Sequence, residues 1–164
     1  FEGLEHVLRI RADQAMDDAV VVQSLRRLGQ LYEDALLDLP RAARTYQEIL
    51  EIAPEDHEAF SSLRRSRVVA DAHRELAGDL EDLIPRTQDP ERAQALRLEL
   101  ARLYRDPLNE SALAVEMLRD LLGEKGASQD AALATLDLSQ ETAPGRRADE
   151  GGVTILDSLA VLRD

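Results

Sequence analysis

The stretch "LGQLYEDALLDLPRAARTYQEIL", Leu28 to Leu50, decides the fold. Val21, Leu25, Leu28, Tyr32 and Ala35 are spaced four, three, four and three residues apart, which places them on one face of an α-helix. The pattern then restarts. Asp38 is positioned to cap a second helix with Pro40 in its first turn, and Ala42, Ala43, Tyr46, Ile49 and Leu50 form an apolar stripe wide enough to face two neighbours. "APED" at 53–56 closes that helix and opens the next.

The hairpin is written again downstream. Residues 4–50 lie on residues 76–122 without a gap, and ten of the 47 pairs are identical, among them Leu28 with Leu100, Tyr32 with Tyr104 and Ala42 with Ala114. Chance would give roughly three, and the matches fall on the apolar stripe, where a repeat architecture needs them. Residues 55–85 supply a further helix pair in different wording. Ala59, Phe60 and Leu63 mark its first helix, and Leu76, Leu80, Leu83 and Ile84 its second, with Pro85 at its end. "QDPER" then offers Asp89 as N-cap and Pro90 at the first helical position of a helix carrying Leu96, Leu100, Leu103 and Tyr104. Pro107 and Asn109 make the next corner, and the following helix ends near Gly123 and Gly126. The 72-residue period is therefore two hairpins of 36 residues each.

These residues resemble the tetratricopeptide repeat, a unit of two antiparallel helices. The first full unit matches at Leu28, Gly29, Tyr32, Ala42, Tyr46 and Pro54, with one extra residue in the turn between its helices; the third matches at Leu100, Ala101, Tyr104, Ala114 and Leu118. The middle unit keeps Phe60, Leu63, Ala77 and Leu80 but places Arg64 and Arg67 where the small residue and the Tyr stand elsewhere. The resemblance implies an all-α, right-handed α-solenoid of about four stacked antiparallel hairpins, at about 17–53, 55–85, 89–124 and 128–163. Residues 1–15 would be the second helix of a preceding hairpin, and the whole of 1–164 one domain that reads as a piece of a longer chain. A breaker-rich loop, "QETAPGRRADEGG", interrupts the last hairpin. Stacking suits the physics, because a lone hairpin buries too little apolar surface to offset its ordering entropy, whereas neighbours share a continuous core. Tyr32 and Tyr104 are expected to fill the gap to the next unit.

Composition agrees with closely packed helices. Apolar residues make up 44% and aromatics only 3%, which fits a Leu, Ala and Val core better than a sandwich or barrel. The formal charge is −13, so the global field repels nucleic acid and anionic membrane surfaces. Of 20 basic residues, 19 are Arg and only Lys125 is Lys, a skew consistent with coding bias in a GC-rich bacterium. The absence of Cys excludes disulfides, thiolate zinc sites and cysteine nucleophiles. With no basic n-region followed by an apolar core, and no long apolar run, neither signal peptide nor membrane span is expected, and a cytoplasmic location is favoured.

In tetratricopeptide-like solenoids the first helix of each unit lines a concave groove. The polar first-helix positions are Arg26 and Gln30 in the first unit, Ser61 and Arg65 in the second, and Arg102 and Arg105 in the third. A stripe of guanidinium groups there could take the carboxylates of an acidic peptide by bidentate hydrogen bonds. The same arginines could instead pair with Glu33, Glu58 and Glu99 of the chain itself. Formal charge is −2, 0 and 0 on the first helices against −1, −3 and −3 on the second, so the groove side is the less acidic. The family's carboxylate clamp for chaperone C-termini needs Lys and Asn residues that Gln30 and Lys125 do not supply.

Catalytic chemistry is not indicated. There is no P-loop, dinucleotide glycine motif, nucleophile elbow or zincin motif. His6, His57 and His73 are far apart, and "EDHE" at 55–58 spreads its side chains in different directions at a helix start, so no metal site is expected. The acidic groups Asp17–Asp18 and Asp79, Glu81 and Asp82 read as helix starts and solvated faces. The sequence therefore points to a non-enzymatic interaction scaffold that needs no cofactor and binds a protein or an acidic peptide. The alternative is a structural spacer or assembly segment that associates through the ends of its array.

Overall fold

The computed structural model describes residues 2–123, which form helices and no strands. They are α1 (Glu2–Gln14), α2 (Asp18–Gln30), α3 (Leu39–Ile52), α4 (His57–Val69), α5 (His73–Leu83), α6 (Pro90–Arg105) and α7 (Ser111–Gly123). A π-helical turn, Leu31–Ala35, prolongs α2, and a 3-10 turn, Ile84–Arg86, prolongs α5. The hairpin expected at 128–163 and its breaker-rich loop lie outside the described residues. The chain divides into two compact units, Phe1–Ala93 and Gln94–Asp164.

Side-chain caps fix the helix starts. Asp17 accepts from the Ala19 N–H at 2.9 Å, Asp38 from Arg41 N–H at 3.1 Å and Asp56 from Ala59 N–H at 2.9 Å, each satisfying a donor that the first turn leaves without a partner. Asp89 takes the Glu91 N–H at 3.0 Å, repeating the geometry of Asp17 at its aligned position. Pro40 stands in the first turn of α3, where a missing N–H costs nothing.

The corners after α2, α4 and α6 share one construction. Each carries a residue with left-handed backbone: Leu37 at φ 52°, Asp71 at φ 55° and Asn109 at φ 53°. The N–H after it returns to the preceding helix, from Asp38 to Tyr32 C=O, from Ala72 to Arg67 C=O and from Glu110 to Tyr104 C=O. The first and third corners also bond Leu36 N–H to Leu31 C=O and Leu108 N–H to Leu103 C=O, so the widened turn absorbs the extra residue that the shorter middle corner lacks. Asp and Asn tolerate this backbone because their short polar side chains bond locally, whereas Leu37 is an exposed Leu with no such compensation. Leu37→Gly is expected to stabilise the protein by about 0.5–1 kcal/mol, read as a higher urea midpoint at unchanged slope.

In the first unit the helices pack in chain order, α1 on α2, α2 on α3, α3 on α4 and α4 on α5. Leu28, Ala42, Ile49, Ala59 and Leu80 are fully buried between them. Gly29 is required by contact rather than by backbone: a Cβ there would stand 2.7 Å from Cε1 and Cζ of Tyr46, whose ring is buried. Ala would gain about 1 kcal/mol of helix propensity at this position, but the enclosed ring has nowhere to retreat. Gly29→Ala is therefore expected to destabilise by about 1–3 kcal/mol in chemical denaturation.

Two readings of the sequence need correction. Tyr32 is buried, but its hydroxyl donates to Glu5 of α1 at 2.8 Å, while Arg41 stacks over its ring at 5.7 Å; it closes the gap to the preceding helix, not the following unit. Asp79 does not sit on a solvated face. It is buried, and Arg67 donates to it twice, from Nε at 2.8 Å and from Nη2 at 3.3 Å, joining α4 to α5. Burial raises the Asp79 carboxyl above its ordinary value despite the facing guanidinium. The middle unit has thus exchanged an aromatic packing position for a buried ion pair.

In the second unit, Leu96, Leu100, Ala101 and Tyr104 of α6 and Ala114, Leu118 and Leu121 of α7 are buried. Their spacing follows the helical period that the sequence shows.

Candidate protein-interaction surface

The first-helix arginines differ in how the fold engages them. Arg26 projects from α2 to the start of α4, where Nη2 donates to Asp56 and Nη1 to Glu58, each at 2.6 Å. Asp56 uses its other oxygen to cap α4, so one carboxylate ties the neighbouring helix to its own first turn. Arg65 projects from α4 in the opposite sense and grips Glu33 with Nε at 3.2 Å and Nη2 at 2.8 Å. Both guanidiniums are held by the chain's own carboxylates, with the two contacts the sequence named, Glu58 and Glu33, among them.

Glu33 is the junction of this surface. Its side chain is 8% exposed, and besides Arg65 it accepts the Tyr46 hydroxyl at 2.8 Å and the Ser66 hydroxyl at 2.9 Å. Burial by itself pushes this carboxyl up, but the donors from Arg65, Tyr46 and Ser66 outweigh it and hold Glu33 below its usual range. The same contact works the other way on Tyr46, whose hydroxyl is driven far above its ordinary value by burial and by the carboxylate beside it. One carboxylate from α2's extension therefore joins α3 and α4. In the sequence Glu33 reads only as a surface partner for arginine. Its spacing of four residues from Gly29, on the face that Tyr46 covers, is the signal that could have placed it inside.

Gln30 is exposed and lines a shallow depression with Leu4, Leu8, Arg27 and Leu31. Arg102 is exposed on α6. Arg105 donates from Nε and Nη2 to the adjacent Asp106 at 3.0 and 2.9 Å, and that contact lowers the Asp106 carboxyl. The fold brings Arg26, Arg65 and the Glu33 junction together on the α2–α4 side.

Glu55 shows a second use of carboxylates between hairpins. It accepts the backbone N–H of Gln88 at 2.7 Å and of Asp89 at 3.4 Å, together with Arg92 Nη1 at 3.0 Å. These donors, the Gln88 N–H first, keep Glu55 below the ordinary carboxylate value. The start of one hairpin thereby holds the corner leading into the next.

The histidines are dispersed. His6 and His57 are exposed, and His73 places Nε2 3.0 Å from Asp71 while its Nδ1 is buried without a partner. Among the described residues no group of three or more His, Cys, Asp or Glu side chains is arranged to hold a metal ion, and no helix is long and apolar enough to cross a membrane. Comparison of the chain with protein-family models, with curated proteins and with solved structures finds no match.

Proposed function

We propose that the chain is a tetratricopeptide-like interaction scaffold, a right-handed stack of helical hairpins that binds a protein or an acidic peptide in a concave groove formed by the first helices. The observation that carries this reading is the recurrence of one corner design after α2, α4 and α6, with a left-handed residue at Leu37, Asp71 and Asn109 and a backbone bond returning to the helix before it. A chain that repeats its corners repeats its units, and repeated units offer extended surfaces rather than a single enclosed site. Arg26 and Arg65 serve binding through exchange, since a ligand carboxylate must displace Asp56, Glu58 or Glu33. Gln30, Arg102 and Arg105 complete the proposed contact set, and Arg102 is more exposed than Arg105.

The test is affinity enrichment with the wild-type chain and with a double variant, Arg102→Glu with Arg105→Glu. Loss of a captured partner with unchanged helical circular dichroism is the expected result. A partner set indifferent to both reversals contradicts the groove reading.

A second reading, an assembly segment whose ends stack, is favoured by one feature. Leu4, Val7 and Ile10 leave an apolar side of α1 exposed, at 52%, 59% and 39%.

A further inference from the structure

Two neighbouring pairs of second helices in the first unit, α1 with α3 and α3 with α5, can be compared position by position. Leu8 of α1 falls on Leu80 of α5 in the 72-residue register, and Leu80 stands where Tyr46 stands in α3, the middle corner being one residue shorter. All three are buried, as are Thr45 and Asp79 one residue before, so the register holds in space. It makes Arg9 of α1 the equivalent of Gln47 in α3, and Glu48 of α3 the equivalent of Asp82 in α5.

Between α1 and α3 these two positions are joined. Arg9 donates from Nη1 and Nη2 to the two oxygens of Glu48, at 2.6 and 3.2 Å. Between α3 and α5 the carboxylate is kept and the guanidinium is missing, because Gln47 brings no charge and Asp82 makes no ion pair among the described residues. Gln47 and Asp82 instead line a recess of about 170 Å³, far more than the roughly 15 Å³ that one water needs. The buried side chains of Leu50, Leu63 and Leu83 give it an apolar wall.

The recess carries more negative charge than the chain neutralises. Glu51, Asp79 and Asp82 line it against Arg86 alone, and Arg86 directs Nη2 to the Leu50 C=O at 3.0 Å rather than to a carboxylate. Arg67 reaches Asp79 from α4. Even so, burial keeps the Asp79 carboxyl above its ordinary value, and Asp82 and Glu75 add to the rise. A further cation is what this arrangement lacks. The equivalent interface indicates its kind: a guanidinium, with two parallel donors for one carboxylate and an alkyl stem that packs on apolar side chains.

We propose that the α3–α5 recess binds a small alkylguanidinium, its head on Asp82 as Arg9 is on Glu48, and its stem against Leu50, Leu63 and Leu83. The site goes beyond the scaffold reading, since it lies between second helices and takes a small molecule, and none of the proposed groove residues lines it.

The probe is n-propylguanidinium, titrated into the full chain and followed by proton–nitrogen NMR correlation spectra, with n-propylurea as the neutral compound of the same shape. Saturable shifts of the Gln47, Glu51, Asp82 and Leu83 amides are expected, with a Kd of about 1–10 mM, and no saturation with propylurea. Asp82→Asn is expected to weaken binding about tenfold or more. Gln47→Arg restores within the chain the arginine that α1 supplies as Arg9, and is expected to abolish binding by filling the recess itself. Both positions lie outside the Arg67–Asp79 pair, and circular dichroism checks that each variant is folded; Asp82→Asn decides alone if Gln47→Arg is not. Absence of saturable shifts overturns the proposal, and so does equal affinity for propylurea or undiminished binding to a folded variant. Shifts that saturate only around Arg26 and Glu58 overturn it as well, by placing the cation on the other carboxylate surface. The groove reading is judged separately, by the Arg102 and Arg105 reversals on a captured protein.

Discussion

Asp79→Ala is expected to destabilise the protein by about 3–5 kcal/mol, the largest effect of a single substitution anticipated here. The reason is what remains. Arg67 is 13% exposed, and without Asp79 its guanidinium loses both bonds of the bidentate pair while still enclosed between α4 and α5. Breaking such a pair is costly even where forming it contributes little, because each charge gave up its hydration to enter the interior. The double variant Arg67→Met with Asp79→Leu is therefore expected to regain most of the loss. Urea denaturation of the two single variants and the double one tests this. A double variant as unstable as Asp79→Ala would mean that the pair's geometry, not the stranded charge, sustains the middle hairpin.

The second large effect is expected at Glu33. Replacing it with Ala leaves the hydroxyls of Tyr46 and Ser66 without their shared acceptor and releases Arg65, for a loss of about 2–4 kcal/mol. The pH dependence follows from the direction of the shift. Because the fold holds Glu33 below its ordinary value of 4.5, its contribution is complete above that value and is lost as pH falls through the lowered one. Asp79 has the opposite slope: raised above 3.8, it binds its proton more readily in the folded chain, so acidification through that region relieves a cost. Glu33→Gln should thus be less stable than wild type at neutral pH and lose less on going to about pH 3. Urea midpoints at both pH values measure it, and parallel acid losses in the two proteins would show that Glu33 is not the group responsible.

The periodic features were legible because they depend on local rules. The apolar stripe through Leu28, Tyr32, Ala42, Tyr46 and Ile49 gives the buried face, and Asp38, Asp56 and Asp89 announce helix starts. What escaped reading depends on approach in space. The extra residue before α3 could be counted but not placed, since a widened turn and a longer loop read alike in sequence. Asp79 looked solvated because its neighbours Glu81 and Asp82 are exposed, yet the helix turns it toward Arg67. The helix positions of Arg26 and Arg65 suggest binding in the sequence, and the same positions bring them within reach of carboxylates on the adjacent hairpin.

The register explains why the middle hairpin changed. Where the first unit sets Gly29 against Tyr46, the second, one residue shorter at its corner, has Arg64 and Leu80 at the corresponding positions, and the third has Ala101 and Leu118. Small residue and large ring are replaced together, so the packing contact is kept or abandoned as a pair. The middle unit abandons it and secures α4 to α5 through Arg67 and Asp79 instead.

The central claim is that first helices, rather than second helices, meet the partner. Site-specific photo-crosslinking tests it most directly, with a benzophenone side chain placed in turn at the exposed positions Ser61 and Arg102 on first helices and Arg44 and Arg119 on second helices. Crosslinks to a second protein from Ser61 and Arg102 alone are the predicted result. Crosslinks from Arg44 and Arg119 with none from Ser61 or Arg102 would contradict it.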